Sequence, residues 1–291
     1  MKKLTNESKH LIVFFLVTLL WTWSIGFLPV FFNFTGTPLA TACFIAAGPA
    51  PSLLGLFFVF KTYDKDARKD YFMRCFSFKR MGLKWFLITV LFFALIAVVS
   101  LFIGVVILKY EMPEMLWINI SIQKPYMIPI LLFLSLNSGP VNEEFGFRGY
   151  SLDKLFARFG YAKASLILGF IWGIWHLPWY FTPGQVQYEL LQSSLFDAFM
   201  FIPATILLSF VVSFVYLNTN RSILAGAIVH MMSNLITSQI LSPYTTQMGI
   251  TIRYVSMFFC SLVTIYSLFS KRFKERTFLT HTANQVSHQY L

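Results

Sequence analysis

The chain has 291 residues, of which 57% are apolar and only 12% are charged. Soluble domains carry about 25% charged residues, so this composition excludes a disordered chain, a collagen and, in spite of the net charge of +11, a nucleic-acid-binding protein. It indicates a polytopic membrane protein. Because a membrane-spanning helix needs about 20 residues, no large soluble domain fits beside the spans.

Eight hydrophobic segments follow one another along the chain, most of them long enough to cross a bilayer. They are Leu11–Phe32, Leu39–Phe60, Trp85–Leu108, Tyr126–Phe147, Ala164–Phe181, Asp197–Leu217, Ser222–Leu241 and Thr251–Ser270. We interpret the first segment as a retained span and not a signal peptide, because its apolar run is long. We therefore predict an all-α protein with one eight-helix transmembrane domain over residues 1–276, which encloses a polar cavity, and a flexible cytoplasmic tail over residues 277–291.

The distribution of basic residues predicts the orientation of these spans. With the N-terminus in the cytoplasm and alternating spans, 20 of the 23 Lys and Arg residues lie on the cytoplasmic side. The exceptions are Lys109, Lys124 and Arg253. Both termini are thus predicted to be cytoplasmic, as is the charged segment Lys61–Lys84, which we interpret as the longest loop. The loop around residue 185 is predicted to lie outside.

Ionisable side chains inside predicted spans are costly, and they are functional-site candidates by default. Glu143 and Glu144 lie in span four, just after Gly139 and Pro140, which should kink or break that helix. His176 lies in span five. His230 and Asn234 lie in span seven. A single histidine in a membrane is often only a hydrogen-bonding residue between helices, but this set of five side chains favours one shared site.

Helical spacing suggests a different role for each glutamate. Glu144 and Arg148 are four residues apart, so they share a helix face and can pair. Glu143 is rotated from Glu144 by about 100°, and it can point into the bundle as a general base.

The same spacing argument applies to the histidine-bearing spans. His230 and Asn234 are also four residues apart and offer two donors, which suits an oxyanion hole. His176 could share a water molecule with Glu143. Glu143, His230 and His176 differ by roughly 12 Å in their predicted depth in the membrane, counted from the basic ends of their spans. Helix tilt, the break at Pro140 or burial of residues 149–160 would have to close that difference.

These residues resemble the motifs of the type II CAAX prenyl endopeptidase family, also called the CPBP or Abi family of intramembrane proteases. Its motifs EExxxR, FxxxH and HxxxN/D correspond in order to Glu143-Glu144-Phe-Gly-Phe-Arg148, to Trp172 with His176, and to His230-Met-Met-Ser-Asn234. The family core would cover residues 126–241. One position departs from the pattern, because Trp172 stands where the family has phenylalanine.

The resemblance implies a membrane-embedded endopeptidase. Glu143 and His176 would activate the attacking water, His230 and Asn234 would stabilise the oxyanion, and Arg148 would hold Glu144. Eukaryotic and archaeal members remove the last three residues after a prenylated cysteine, whereas many bacterial members are linked to bacteriocin immunity or peptide maturation. The expected partners are the lipid bilayer and a peptide or lipidated protein substrate, which would enter from the membrane or from the cytoplasmic side.

Other chemistries remain as alternatives. The sequence contains no HExxH, GxSG or GxGD motif, and its three cysteines are too far apart in sequence to form a CxxC pair. We expect a mechanism without a cofactor, and a zinc-dependent version with Glu143, His176 and His230 as ligands is the alternative. A proton-coupled transporter and a non-enzymatic membrane-binding or immunity protein are two further alternatives.

Overall fold

A computed structural model describes residues 6–240 and 246–270, and within these ranges the protein is helical and contains no strand. The predicted tail over residues 277–291 lies outside the described residues. The α-helices are α1 (Asn6–Gly26), α2 (Leu28–Phe31), α3 (Pro38–Ala47), α4 (Ala50–Thr62), α5 (Lys65–Phe76), α6 (Phe78–Leu101), α7 (Leu116–Gln123), α8 (Ile128–Asn137), α9 (Pro140–Gly146), α10 (Asp153–Trp175), α11 (Val186–Ser193), α12 (Leu195–Asn218), α13 (Ile223–Asn234) and α14 (Gln247–Phe269). Three π-helical segments (Phe102–Ile107, Phe147–Leu152 and Leu235–Ile240) and two 3-10 turns (Pro125–Met127 and Leu177–Phe181) complete the order.

Six helical stretches among the described residues are long and apolar enough to cross a membrane. They are Asn6–Phe31, Pro38–Thr62, Lys65–Ile107, Pro140–Phe181, Leu195–Asn218 and Gln247–Phe269. Two shorter apolar helices, Pro125–Asn137 and Ile223–Thr237, lie where the fourth and seventh segments were predicted. Large apolar side chains such as Leu20, Leu91 and Phe258 are exposed on the outside of the bundle, as lipid-facing residues are. The protein is therefore a multi-pass membrane protein, and the count of eight spans stays a prediction.

The charged segment Lys61–Lys84 differs from its prediction as a loop. Helix α5 occupies its centre, and the Asp64 side chain caps this helix by accepting a hydrogen bond of 2.8 Å from the Ala67 amide. Four basic residues in α5 gave it the composition of a loop, but Tyr71 and Cys75 on its inner face are buried. Packing of this face against the bundle, which composition does not reveal, stabilises the helix.

The break predicted at the fourth segment is confirmed. Helix α8 ends at Asn137, and Pro140 occupies the first turn of α9, where its missing amide donor costs nothing. From there the chain stays helical through Phe147–Leu152 into α10, until Gly160 interrupts α10 at a φ of 75°. Such a left-handed conformation suits glycine, which has no Cβ.

Close contacts at glycine set the positions of α9 and α10. A Cβ added to Gly55 of α4 would lie 2.5 Å from the Gly146 Cα, so α4 and α9 touch through their backbones. A Cβ added to Gly169 of α10 would lie 2.7 Å from the Ile206 Cα of α12. Small residues allow membrane helices to approach in this way, and these two contacts fix the helices that carry Glu143 and His176.

A charged cluster ties together three segments that were predicted to lie on the same side of the membrane. Arg74 of α5 contacts Asp153 at 3.1 Å and the Tyr216 hydroxyl at 2.8 Å, and Arg221 also pairs with Asp153. Burial is the largest single influence on the pKa of the Arg221 guanidinium and lowers it, but the charges of Asp153 and Tyr216 and the hydrogen bond to Asp153 together raise that pKa well above its ordinary value. The cluster therefore agrees with the predicted grouping of these segments.

Candidate active site

A cavity of about 570 Å³ opens between the helices. Helices α3, α9, α10, α12, α13 and α14 all contribute to its wall. Four polar residues predicted for the site line it: Glu143, His176, His230 and Asn234. Much of the remaining wall is apolar and aromatic, including Phe44, Trp175 and Phe201, which is typical of a ligand pocket.

Glu143 lies in the first turn of α9 and is 5% exposed. Its Oε2 accepts a hydrogen bond from the Trp172 indole Nε1–H. That bond fixes one carboxylate oxygen and leaves Oε1 directed at Gly139, the residue before the helix. One oxygen of the carboxylate is thus held while the other borders the cavity.

Glu144 lies behind the wall, where it holds two other side chains. Its Oε1 accepts hydrogen bonds of 2.9 Å from Arg148 Nη1 and of 3.0 Å from His230 Nδ1. Glu144 and Arg148 are both fully buried, and the Arg148 guanidinium lies 4.5 Å from the centroid of the Trp172 ring. The predicted ion pair between Glu144 and Arg148 is confirmed, and it also orients the His230 ring, a contact that sequence spacing did not reveal.

Three polar atoms converge in front of Gly139. A methyl group placed on Gly139 would lie 3.0 Å from Glu143 Oε1, 3.5 Å from His230 Nε2 and 3.6 Å from Asn234 Nδ2. The absence of a side chain at this glycine therefore leaves a space that is shared by all three groups. Glu143 and His230 thus meet in spite of their predicted difference in depth, in a fold where α9 begins at Pro140 and the segment that follows it is buried.

His176 ends α10 on the same cavity wall. Its Nδ1 lies 2.8 Å from the Trp172 carbonyl oxygen, which can only accept, so Nδ1 carries the proton. In the neutral ring the lone pair is then on Nε2. The rings of Trp175 and Phe201 pack against His176 at centroid distances of 4.7 and 5.0 Å.

Two residues of this cavity region were not among the predicted site residues. Arg253 of α14 belongs to the cavity wall and is 5% exposed, and it pairs with Asp197 at the start of α12. The sequence could have indicated them as site candidates, because Arg253 and Asp197 are ionisable residues inside predicted spans. Arg253 was counted only as a basic residue on the outer side, since nothing local links two residues 56 positions apart.

The candidate metal ligands in the described part of the cavity do not form one cluster. Among the described residues, no group of three or more His, Cys, Asp or Glu side chains is close enough to hold a metal ion. Glu143, His176 and His230 share the cavity wall without forming such a group. The three cysteines, Cys43, Cys75 and Cys260, are free thiols.

Two comparisons with known proteins bear on this arrangement. Residues 125–236 match the family described as type II CAAX prenyl endopeptidase Rce1-like. The chain is also 26% identical over 231 residues to the CAAX prenyl protease 2 of Methanococcus maripaludis, in an alignment that covers 77% of this chain and 82% of that protein. Over residues 125–236 the chain is therefore similar to the type II CAAX prenyl endopeptidase family. Neither match supports the transporter or the immunity-protein alternative.

The match to the type II CAAX prenyl endopeptidase family covers α8 to α13 and ends at residue 236. It includes every predicted site residue. Arg253 lies beyond it, so the cavity is built partly from a helix outside the matched region.

Proposed function

We propose that this protein is an intramembrane endopeptidase of the CAAX type, which hydrolyses a peptide bond of a membrane-associated substrate by a glutamate-dependent mechanism. The observation that carries the proposal is the convergence of Glu143 Oε1, His230 Nε2 and Asn234 Nδ2 on the space in front of Gly139. A carboxylate facing two nitrogen atoms across a gap of this size can activate water on one side and stabilise negative charge on the other.

In the proposed reaction, Glu143 takes a proton from water while the water oxygen attacks the carbonyl carbon of the scissile bond. The carbonyl becomes a tetrahedral oxyanion. The C–N bond then breaks, the nitrogen leaves as an amine with the proton returned by Glu143, and the other product is a carboxylic acid, which loses its remaining proton to solvent. The Nε2 lone pair of His176 accepts a hydrogen bond from the second hydrogen of the water and so orients the water, and Asn234 donates a hydrogen bond to the oxyanion.

The contact between His230 and Glu144 sets a condition on the role of His230. Glu144 is paired with Arg148 and therefore accepts a hydrogen bond from Nδ1–H. His230 can donate from Nε2 to an oxyanion only when its ring carries a proton on both nitrogens. A His230→Gln variant, which places an amide donor near the Nε2 position, should retain more turnover than His230→Ala, and equal turnover of the two variants would contradict donation from this position.

The setting of the site supports a substrate that is bound to the membrane. Apolar helices surround the cavity, so a lipid chain attached to the substrate could remain in the bilayer while the peptide enters. The relative from Methanococcus maripaludis is named a CAAX prenyl protease, and a prenylated peptide or protein is therefore the substrate we propose. The proposal includes the eight-span topology with both termini in the cytoplasm.

The experiment that tests the proposal is hydrolysis of a prenylated peptide by the purified protein in lipid nanodiscs. The peptide has three apolar residues after the modified cysteine, and mass spectrometry identifies the products. We expect cleavage by the wild type and none by Glu143→Gln at an equal melting temperature. Equal cleavage by both proteins would overturn the assignment of Glu143.

A zinc-dependent version of the same protease is the second candidate. It is favoured by the contact between His230 Nδ1 and the Glu144 carboxylate, because metal-binding histidines commonly donate their second ring N–H to a carboxylate. Metal analysis of the purified protein, with turnover measured before and after chelation, separates the two versions. Turnover that survives thorough chelation supports the glutamate mechanism, whereas stoichiometric zinc, with turnover lost on chelation and restored by zinc alone, would replace it.

A further inference from the structure

Arg253 borders the cavity with two of its three guanidinium nitrogens unpaired. Its Nη2 donates to Asp197 Oδ1, and the Tyr254 hydroxyl donates to the same oxygen at 2.8 Å. Arg253 Nε and Nη1 are buried and have no hydrogen-bond partner among the described residues. Asp197 thus holds one edge of the guanidinium and leaves the other donors unused.

The position of Arg253 in the cavity distinguishes it from other buried arginines. Arg148 also has unpaired nitrogens, but it lies behind the wall over the Trp172 ring. Among the described residues of the cavity wall, Arg253 is the only Lys or Arg and Glu143 is the only Asp or Glu. A guanidinium with free donors inside a membrane helix is costly, and an anion bound in the cavity would offset that cost.

We propose that Arg253 binds the C-terminal carboxylate of the peptide substrate, an inference that rests on the function proposed above. A guanidinium presents its N–H groups in a planar fork that matches the two oxygens of a carboxylate. Asp197 acts as a positioning residue, because it accepts the hydrogen bond from Arg253 Nη2, whereas Tyr254 contacts Asp197 and makes no hydrogen bond to the guanidinium.

Helix α14, which carries Arg253, lies beside the continuation of the helix that carries His230 and Asn234. Helix α14 packs against the π-helical segment Leu235–Ile240, which continues α13 beyond His230 and Asn234. At about 1.5 Å per residue, this segment begins roughly 8 Å and ends roughly 15 Å beyond His230. Three residues of extended peptide cover about 10 Å. Arg253 and Glu143 line the same cavity, so in the proposed complex the carboxylate binds at Arg253 while a bond a few residues from the C-terminus lies near Glu143.

The alternative is that Arg253 only ties α14 to α12 through Asp197. The two roles respond differently to substitution. If Arg253 is purely structural, its substitution lowers the hydrolysis of every substrate by the same factor. If Arg253 binds the carboxylate, its substitution lowers the hydrolysis only of substrates with a free C-terminus. Tyr254→Phe is the matched control, because it removes one contact to Asp197 and leaves the guanidinium in place.

The test compares two prenylated peptides that are identical except that one ends in a free carboxylate and the other in an amide. We expect the wild type, in nanodiscs of neutral lipid, to show a kcat/KM about 10²-fold higher for the acid than for the amide, the size expected when a charge-assisted hydrogen-bond pair is lost. Arg253→Gln should reduce this ratio to about 1, and Tyr254→Phe should retain it. The ratio does not depend on how much of a variant is folded. An unchanged ratio in Arg253→Gln would overturn the proposal.

Binding of the same two peptides, carrying a fluorophore, separates failure of this proposal from failure of the proposed function. If the wild type hydrolyses neither peptide but binds the acid more tightly, and Arg253→Gln removes that preference, the carboxylate site stands and the protease assignment fails. If the wild type hydrolyses both equally well, the protease assignment stands and the carboxylate site fails. If acid and amide bind alike and Arg253→Gln changes only the effect of added phosphatidylglycerol, the anion is a lipid phosphate and the proposal is overturned.

Discussion

The Trp172 indole donates a hydrogen bond to Glu143 Oε2, and the Trp172 backbone carbonyl accepts a hydrogen bond from His176 Nδ1. The Trp172 ring also lies under the Arg148 guanidinium and 5.0 Å from the His230 ring. One residue of α10 thus contacts both members of the proposed water-activating pair. The family motif has phenylalanine at this position, and phenylalanine could supply the ring contacts but not the indole donor.

Trp172→Phe should therefore lower turnover by about 10-fold, because it removes a single hydrogen bond to a charged group and retains an aromatic ring. The rate of peptide hydrolysis at saturating substrate measures the effect on kcat. Trp21→Phe is the matched control, since the Trp21 indole donates to the Ala46 carbonyl oxygen at 3.0 Å, outside the cavity wall. Equal losses in the two variants would show that the bond to Glu143 has no special part in turnover.

The two adjacent glutamates should respond differently to the same substitution. Glu143→Gln should lower turnover by about 10²–10⁴-fold, the usual effect of losing a general base, with little change in the melting temperature. Glu144→Gln should destabilise the protein by about 3–5 kcal/mol, because it leaves the buried Arg148 charge without its partner. Thermal unfolding and hydrolysis are measured on both variants. A well-folded, inactive Glu144→Gln beside an active Glu143→Gln would reverse the assignment.

Gly139→Ala fills the space on which Glu143, His230 and Asn234 converge. The new methyl group would lie 3.0 Å from Glu143 Oε1, where it would displace the carboxylate or the reacting carbonyl. We expect turnover to fall by about 10²-fold, since displacements of about 1 Å at a catalytic centre have effects of that size. Thermal unfolding is the control for folding. Full turnover at unchanged stability would place the reacting bond elsewhere in the cavity.

Gly146→Ala should act on stability, not on chemistry. A Cβ at this position would collide with the Pro51 carbonyl oxygen of α4, and backbone cannot yield as a flexible side chain can. Overpacking of this kind costs about 1–3 kcal/mol or more, so we expect a lower melting temperature or less assembled protein. In the matched control Gly48→Ala the new Cβ meets only the Phe44 carbonyl oxygen at 3.4 Å, an ordinary contact. Equal melting temperatures for both variants would contradict the close packing of α4 against α9.

The orientation in the membrane can be tested with single cysteines in a background without Cys43, Cys75 and Cys260. Gln192, exposed on α11, should react as cysteine with an impermeant reagent only from outside, because it follows the fifth predicted span. Lys65, exposed on α5, should react only from the cytoplasmic side. Labelling of intact and of opened cells distinguishes the two. Reaction of the Gln192 cysteine only from the cytoplasmic side would refute the topology.

The sequence by itself determined the features that depend on neighbouring residues. Hydropathy marked the apolar segments, the spacing of Glu144 and Arg148 predicted their ion pair, and Gly139 with Pro140 predicted the end of α8. Each of these follows from contacts within a turn or two of helix, where periodicity fixes which side chains share a face. The three motifs also sufficed to indicate the family.

Only the tertiary structure decided which residues from different helices meet. The crossing of α9, α10 and α13 brings Glu143, Trp172 and His230 together, and the packing of α12 beside α14 pairs Asp197 with Arg253. Tertiary packing also made α5 a helix where composition predicted a loop. The physical reason is that helical periodicity determines which face of a helix is polar, but not which helix packs against that face. The packing partner depends on how closely the helix backbones approach. That approach is set by contacts such as the one between Gly55 and Gly146, which are 91 positions apart in the sequence.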